Sequence, residues 1–220
     1  MTQVIPQGFS KGHGTGNDFV LVADADGSAP LTPERVRALA DRRFGVGGDG
    51  VIRAVRAGAT GVAILDSAAE GTWAMDYWNA DGSVSEMCGN GVRVFVRYLL
   101  EAGLEQLPDG GAIDVATRAG VKRVVRRGGL LSVDLGPFEL GEMALVAADG
   151  LEVDRPGLLV STGNPHVVVA LASEDELAGL DLHRAPSLDP APVDGANVEF
   201  VVPGAIADGI GSIRMRVHER

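Results

Sequence analysis

Val92, Phe95, Val96, Leu99 and Leu100 fall at i, i+3, i+4, i+7 and i+8, the stripe of an amphipathic helix. Around this helix lie many short strand-like runs broken by glycine-rich turns. Many short strands with few helices predict an α+β fold, not an alternating parallel α/β sheet. A glycine count of 31 and an aromatic share of 5% fit a chain that turns often.

The runs Asp18–Asp24, Val51–Val55, Val62–Ser67, Trp73–Asn79, Ala112–Thr117 and Val121–Arg127 read as strands. So do Leu130–Leu135, Val167–Leu171, Asn197–Val202 and the alternating segment from Ile213 to Arg220. Thr32-Pro33-Glu34 opens a helix, with Thr32 as N-cap and Pro33 at the first helical position. Ser173 and Glu176 form a capping-box pattern for a short helix. Turns are predicted at Ala80-Asp81-Gly82-Ser83, Gly128-Gly129 and Asp149-Gly150. Gly45–Gly50 reads as a flexible loop, and His183–Gly195, rich in Pro and Asp, as another. Gly103 is placed to end the Val92–Leu100 helix.

Composition excludes several functions. A net charge of −11 argues against nucleic acid or an anionic membrane as partner. No apolar run approaches the roughly 20 residues of a membrane span, and Met1–Ser10 lacks the basic and apolar regions of a secretory signal. The single cysteine cannot form an internal disulfide, and no CxxC or HExxH pattern suggests a metal. A cytoplasmic protein without metal is the expectation. Gly14-Thr15-Gly16-Asn17-Asp18 precedes a strand instead of following one, so it does not read as a dinucleotide loop. Gly45–Gly50 lacks the Lys-Ser/Thr of a phosphate loop.

The lone cysteine, Cys88, stands where the amphipathic helix begins. Free N–H groups and the positive end of the helix dipole meet there. Both favour thiolate over thiol, which makes Cys88 a candidate base or nucleophile. The same N–H groups can hold a carboxylate, and Gly89 and Gly91 allow close approach to the backbone. Asn17, Asn79, Asn90, Asn164 and Asn197 each sit where a strand, turn or helix begins. Amides both donate and accept, so together they suit a zwitterionic amino acid; singly, each reads better as a turn or cap residue. His166 is a candidate partner for tuning a thiol. Glu219 and Arg220 put a carboxylate and a guanidinium at a strand end, where arginine can grip a carboxylate in a fork.

The segments Lys11-Gly12-His13-Gly14-Thr15-Gly16-Asn17-Asp18-Phe19, Asn79-Ala80-Asp81-Gly82-Ser83 and Met87-Cys88-Gly89-Asn90-Gly91-Val92-Arg93 occur in that order. Gly163-Asn164-Pro165-His166, Asn197-Val198-Glu199 and Arg216-Val217-His218-Glu219-Arg220 follow. In order and spacing they resemble the diaminopimelate epimerase family over nearly the whole chain. Met75-Asp76-Tyr77 resembles its actinobacterial branch.

The resemblance implies two pseudo-symmetric α+β domains, each a curved mixed or antiparallel sheet around a central helix, here 1–118 and 119–220. It implies interconversion of LL- and meso-2,6-diaminopimelate without a cofactor, by two cysteines facing the α-carbon from opposite sides, in a homodimer. Cys88 corresponds to the first cysteine, His166 to the histidine that tunes it and Glu219 to the glutamate that tunes the second. Asn17, Asn79, Gly89, Asn90, Asn164, Asn197, Glu219 and Arg220 correspond to substrate-holding positions.

Two departures stand out. The family usually has a glutamine at or near Gly50. Its second cysteine lies soon after Glu219-Arg220, where this chain ends, so a C-terminally truncated member with an incomplete second domain is the expectation. Two other readings follow from the residues: a Cys88–His166–Asn197 thiol hydrolase, and an amino-acid binder without turnover.

Overall fold

The computed structural model describes residues 8–193 and 195–219. The fold is α+β, with two curled sheets in two units, 1–136 and 137–220.

In the first unit, β1 (Ser10–Gly14), β2 (Asn17–Ala23), β3 (Gly50–Arg56), β4 (Trp73–Asn79), β5 (Ala112–Thr117), β6 (Gly120–Arg127) and β7 (Leu130–Val133) lie side by side in chain order. The pairs β2–β3 and β4–β5 are parallel and the rest antiparallel. The predicted stripe forms the central helix, labelled α3 (Gly89–Glu101). Its Val92, Phe95, Val96 and Leu99 are buried with Phe19, Leu21, Ile52, Met75 and Tyr77. Ala102 caps its end and Gly103 follows at φ +67°.

The outer face of the sheet is covered by α1 (Pro33–Ala40), where Val36, Leu39 and Ala40 are buried with Val20, Val22 and Val51. Thr32 caps α1 by accepting from the Arg35 amide. Cover on both faces explains why β2 reads as a continuous apolar run and why β3 is buried from Gly50 to Val55. Thr15-Gly16 and Gly128-Gly129 make two-residue hairpin turns with positive φ at both positions.

Three expectations change in this unit. Val62–Ser67, read as a strand, contains instead the short helix α2 (Ala63–Asp66). Asp66 accepts from the Gly58 and Thr60 amides and the Thr60 hydroxyl, which closes the chain into a turn. Leu65 then buries against Val55, Ala74 and Ala116; a short apolar run has no period to distinguish these outcomes. Gly45–Gly50 is a tied loop: the amides of Val46 and Gly47 donate to Leu39 O, and Lys11 donates to Gly47 O. The boundary expected after residue 118 falls after Gly136, because β6 pairs onto β5, and β7 onto β6, in the first sheet.

The second unit comprises β8 (Glu139–Ala147), β9 (Arg155–Ser161), β10 (Pro165–Ala170), α4 (Glu174–Gly179), β11 (Ser187–Asp189), β12 (Asn197–Ala207) and β13 (Ile210–His218). The sheet order is β11-β8-β9-β10-β12-β13. Only β10 and β12 run parallel, joined by the crossover that carries α4. Ser173 caps α4 as predicted, while Glu176 reaches the Ala172 amide, one residue before the cap. β11 lies inside the segment read as the loop His183–Gly195; its three residues are too few to show a period, and pairing with β8 makes them a strand.

The two faces of this sheet differ. Val146, Val167, Val169, Val198 and Phe200 are buried on the face that carries Leu177 of α4. The opposite face follows from the register. One row runs Met143, Leu158, Val168, Glu199, Val217, and the next runs Leu140, Val160, His166, Asn197. Leu140, Met143, Leu145, Ile213 and Met215 are exposed there.

Candidate active site

Cys88 is the N-cap of α3, in extended conformation at φ −139° and ψ 118°. Its Sγ accepts from the Gly91 amide at 3.3 Å, and the Asn17 amide nitrogen lies 3.9 Å away. Oxygen usually fills this capping position; here a half-buried sulfur does. A Cβ on Gly91 would stand 3.3 Å from Cys88 Cβ, so a side chain there would press on the cysteine. Gly89 has ordinary room, its nearest neighbour being Leu135 at 3.8 Å.

Asn90, the second residue of α3, is held on two sides. Its Oδ1 accepts from the Thr15 hydroxyl at 2.9 Å and from Arg93. The β1–β2 hairpin reaches this helix because it is built of glycine: a Cβ on Gly14 would meet Asn90 at 3.2 Å, and one on Gly12 would meet Val94 at 2.8 Å. Asn17, Cys88 and Asn90 are thus brought together with the turn Thr15-Gly16.

Three loops converge on this end of the sheet through backbone hydrogen bonds. Asp49 donates to Asp18 O at 2.8 Å, and Ala80 donates to Asp49 O at 3.0 Å. Around them Arg42 bridges the carboxylates of Asp18 and Asp49, at 2.6 Å and 2.7 Å, and Lys11 meets Asp18 at 2.6 Å. The Arg42 guanidinium first, and the Lys11 ammonium after it, hold the Asp18 carboxyl well below the usual carboxylate range, against burial pushing the other way. Asn79 closes the Ala80–Ser83 turn, donating to the Ser83 hydroxyl at 3.0 Å.

Gly50 has a steric reason for its identity. A Cβ there would lie 2.6 Å from both Trp78 O and the Tyr77 ring. The space a glutamine would need is filled by β4.

In the second unit His166 is the second residue of β10 and pairs in parallel register with Asn197. His166 Nδ1 lies 2.7 Å from Glu199 Oε1. Asn164 follows the left-handed Gly163 at φ +87° in the turn before β10. Glu219 is exposed at the end of β13, and Arg220 lies outside the described residues. Of the proposed residues, Asn17, Gly89, Asn90 and Cys88 share one end of α3, with Asn79 on the adjoining turn, while Asn164, His166 and Asn197 lie at the starting end of the paired strands β10 and β12. Thr15, Arg93 and Glu199 were not anticipated. Glu199 left one signal, its spacing of two from Asn197, which puts both on one face of a strand.

A family model described as diaminopimelate epimerase matches residues 9–140. The diaminopimelate epimerase of Streptomyces coelicolor is 48% identical, covering 96% of this chain and 71% of its own. That of Mycolicibacterium smegmatis is 42% identical, covering 96% and 75%. The chain belongs to the diaminopimelate epimerase family. Its members are isomerases, and so is this chain. Among solved structures, a Bacillus anthracis phenazine biosynthesis protein of the PhzF family shares the fold with TM-score 0.59 at 17% identity, covering 95% of this chain and 70% of its own. A hydroxyproline epimerase from Agrobacterium vitis does so with TM-score 0.58 at 14% identity, covering 95% and 69%. Among the described residues no helix is long and apolar enough to cross a membrane.

Proposed function

We propose that Cys88, as thiolate, removes the α-proton of LL-2,6-diaminopimelate, and that reprotonation from the opposite face gives the meso isomer, a step of lysine and peptidoglycan biosynthesis. The carrying observation is Cys88 Sγ at the N-cap of α3, accepting from the Gly91 amide. An N–H donor aimed at sulfur favours the anion that the step consumes. Removing an α-proton without a cofactor leaves charge on the carbon and carboxylate, and free amides at a helix start are preorganised to meet it. Asn17, Asn79, Gly89, Asn90, Asn164, Asn197, Glu219 and Arg220 hold the substrate in this reading. His166 serves the Cys88 thiol, and Glu219 serves the group on the other face. Cys88 is the only cysteine in residues 1–220, and in the family reading the group on the other face is a second cysteine that lies after Arg220. The partner is a small molecule, and the working protein is a cytoplasmic homodimer.

Proton NMR of diaminopimelate in D2O tests the reading. The α-proton signal should fade with this chain and persist with Cys88→Ser. Exchange that survives Cys88→Ser overturns the role of the thiol. Binding with no exchange supports an amino-acid binder instead. A thioester on Cys88 after incubation with ester substrates would support the hydrolase, although the hydrogen bond at His166 Nδ1 goes to Glu199 and not to Asn197.

A further inference from the structure

We infer that Glu199 is a positioning residue that fixes the tautomer and ring plane of His166, leaving Nε2 as the nitrogen available for proton transfer. The inference rests on the reading of His166 as the imidazole that serves Cys88.

The geometry follows from strand register. β10 and β12 are parallel, with His166 opposite Asn197 and Val168 opposite Glu199. Glu199 therefore stands on the same face as His166, one row along, the diagonal position from which a long side chain reaches its neighbour. Nδ1 and Oε1 meet at 2.7 Å, with the side chains 25% and 14% exposed. An ionised carboxylate can only accept. With Glu199 as carboxylate the shared proton belongs to Nδ1, and in the neutral ring the lone pair is on Nε2.

The second carboxylate oxygen sharpens the point. Glu199 Oε2 is buried and has no hydrogen-bond partner among the described residues. Val168 and Val217 flank Glu199 in its row. A carboxylate held through one oxygen among valines contributes little as packing. Its gain is directional: one fixed acceptor, pointed at one ring nitrogen. An apolar side chain at 199 would pack against the valines and leave the imidazole free to turn.

Nitrogen-15 NMR of imidazole-labelled protein reads the tautomer directly, in alkaline buffer where the ring is neutral. The wild-type chain should show His166 protonated at Nδ1, with a pyridine-type Nε2. In Glu199→Gln the amide can accept or donate, so the tautomers should mix, and kcat for α-proton exchange should fall by roughly 10²-fold with little change in KM. A wild-type His166 protonated at Nε2 overturns the inference without any variant. So does a Glu199→Gln spectrum with the wild-type pattern at His166. Backbone amide spectra of the variant separate a local change from unfolding, and Glu199→Asp, which keeps the carboxylate, should retain the Nδ1–H form. A tautomer that shifts while exchange stays at the wild-type rate upholds the Glu199–His166 pair and removes His166 from the chemistry of Cys88.

Discussion

At the scale of single residues, the first unit is governed by close approach. Gly12, Gly14, Gly50 and Gly91 each stand where a methyl group would press on a neighbour within 3.3 Å. Gly50 offers the clearest test. Gly50→Gln supplies the side chain common in the family, but its Cβ would have to displace Trp78 O and the Tyr77 ring. We expect a loss of about 1–3 kcal/mol in urea unfolding, the usual range for overpacking, and no gain in exchange rate. A neutral substitution would show that β4 moves easily. The candidates at the start of α3 were legible because helix caps and turns are local: Cys88, Asn17 and Asn90 sit where the sequence places them. The His166–Glu199 pair was not, because its members are 33 residues apart and meet only through the parallel pairing of β10 with β12.

At the scale of elements, a buried ion-pair knot joins the strands. Arg53 on β3 donates to Asp76 on β4 at 2.8 Å, to Asp24 after β2 at 3.1 Å and to the Thr60 carbonyl at 2.8 Å. Arg118 completes it, donating to Asp76 at 2.6 Å and to Tyr77 O at 3.0 Å. Both Arg53 and Asp76 are at most 2% exposed. Removing one member of such a network strands the other charges, so Arg53→Met should cost about 3–5 kcal/mol by denaturant titration. A loss under 1 kcal/mol would mean that water reaches the carboxylates. Trp73–Asn79 and Ala112–Thr117 were readable to the residue, since each has turn residues beside it. β8 and β9 were not anticipated. β8 carries a register shift between Leu140 and Met143 and is mostly exposed, which breaks the alternation that marks a strand.

At the scale of the whole molecule, acid sensitivity follows from depressed carboxyls. Asp18 is lowered by Arg42 first, Asp66 by the Thr60 hydroxyl and Glu176 by the Ala172 amide. A carboxyl lowered on folding stabilises the protein above its unfolded pKa of about 4, and that contribution disappears as pH falls through the folded value. Urea midpoints should therefore differ little between pH 7 and pH 5 from this source and drop below about pH 4. A midpoint unchanged at pH 3 would contradict it. The second sheet suggests a separate measurement. Its open face carries Met143 and Met215, exposed by 54% and 53%. Exposed apolar patches of this kind bind hydrophobic dyes, so anilinonaphthalene sulfonate fluorescence should rise with the wild-type chain and fall with Met143→Glu plus Met215→Glu. The α+β class was legible from the many short strands, and the two-sheet plan from the family resemblance. The division between units was not, because β6 and β7 look alike whichever sheet they join.

The sulfur at the start of α3 caps the helix and is also the atom proposed to take the proton. A thiolate accepts a hydrogen bond more strongly than a thiol does, so every protonation of Cys88 loosens the first turn of its own helix. The Gly91 amide is then a built-in gauge of sulfur charge, whose proton resonance and exchange rate follow the ionisation of Cys88 with no substrate present.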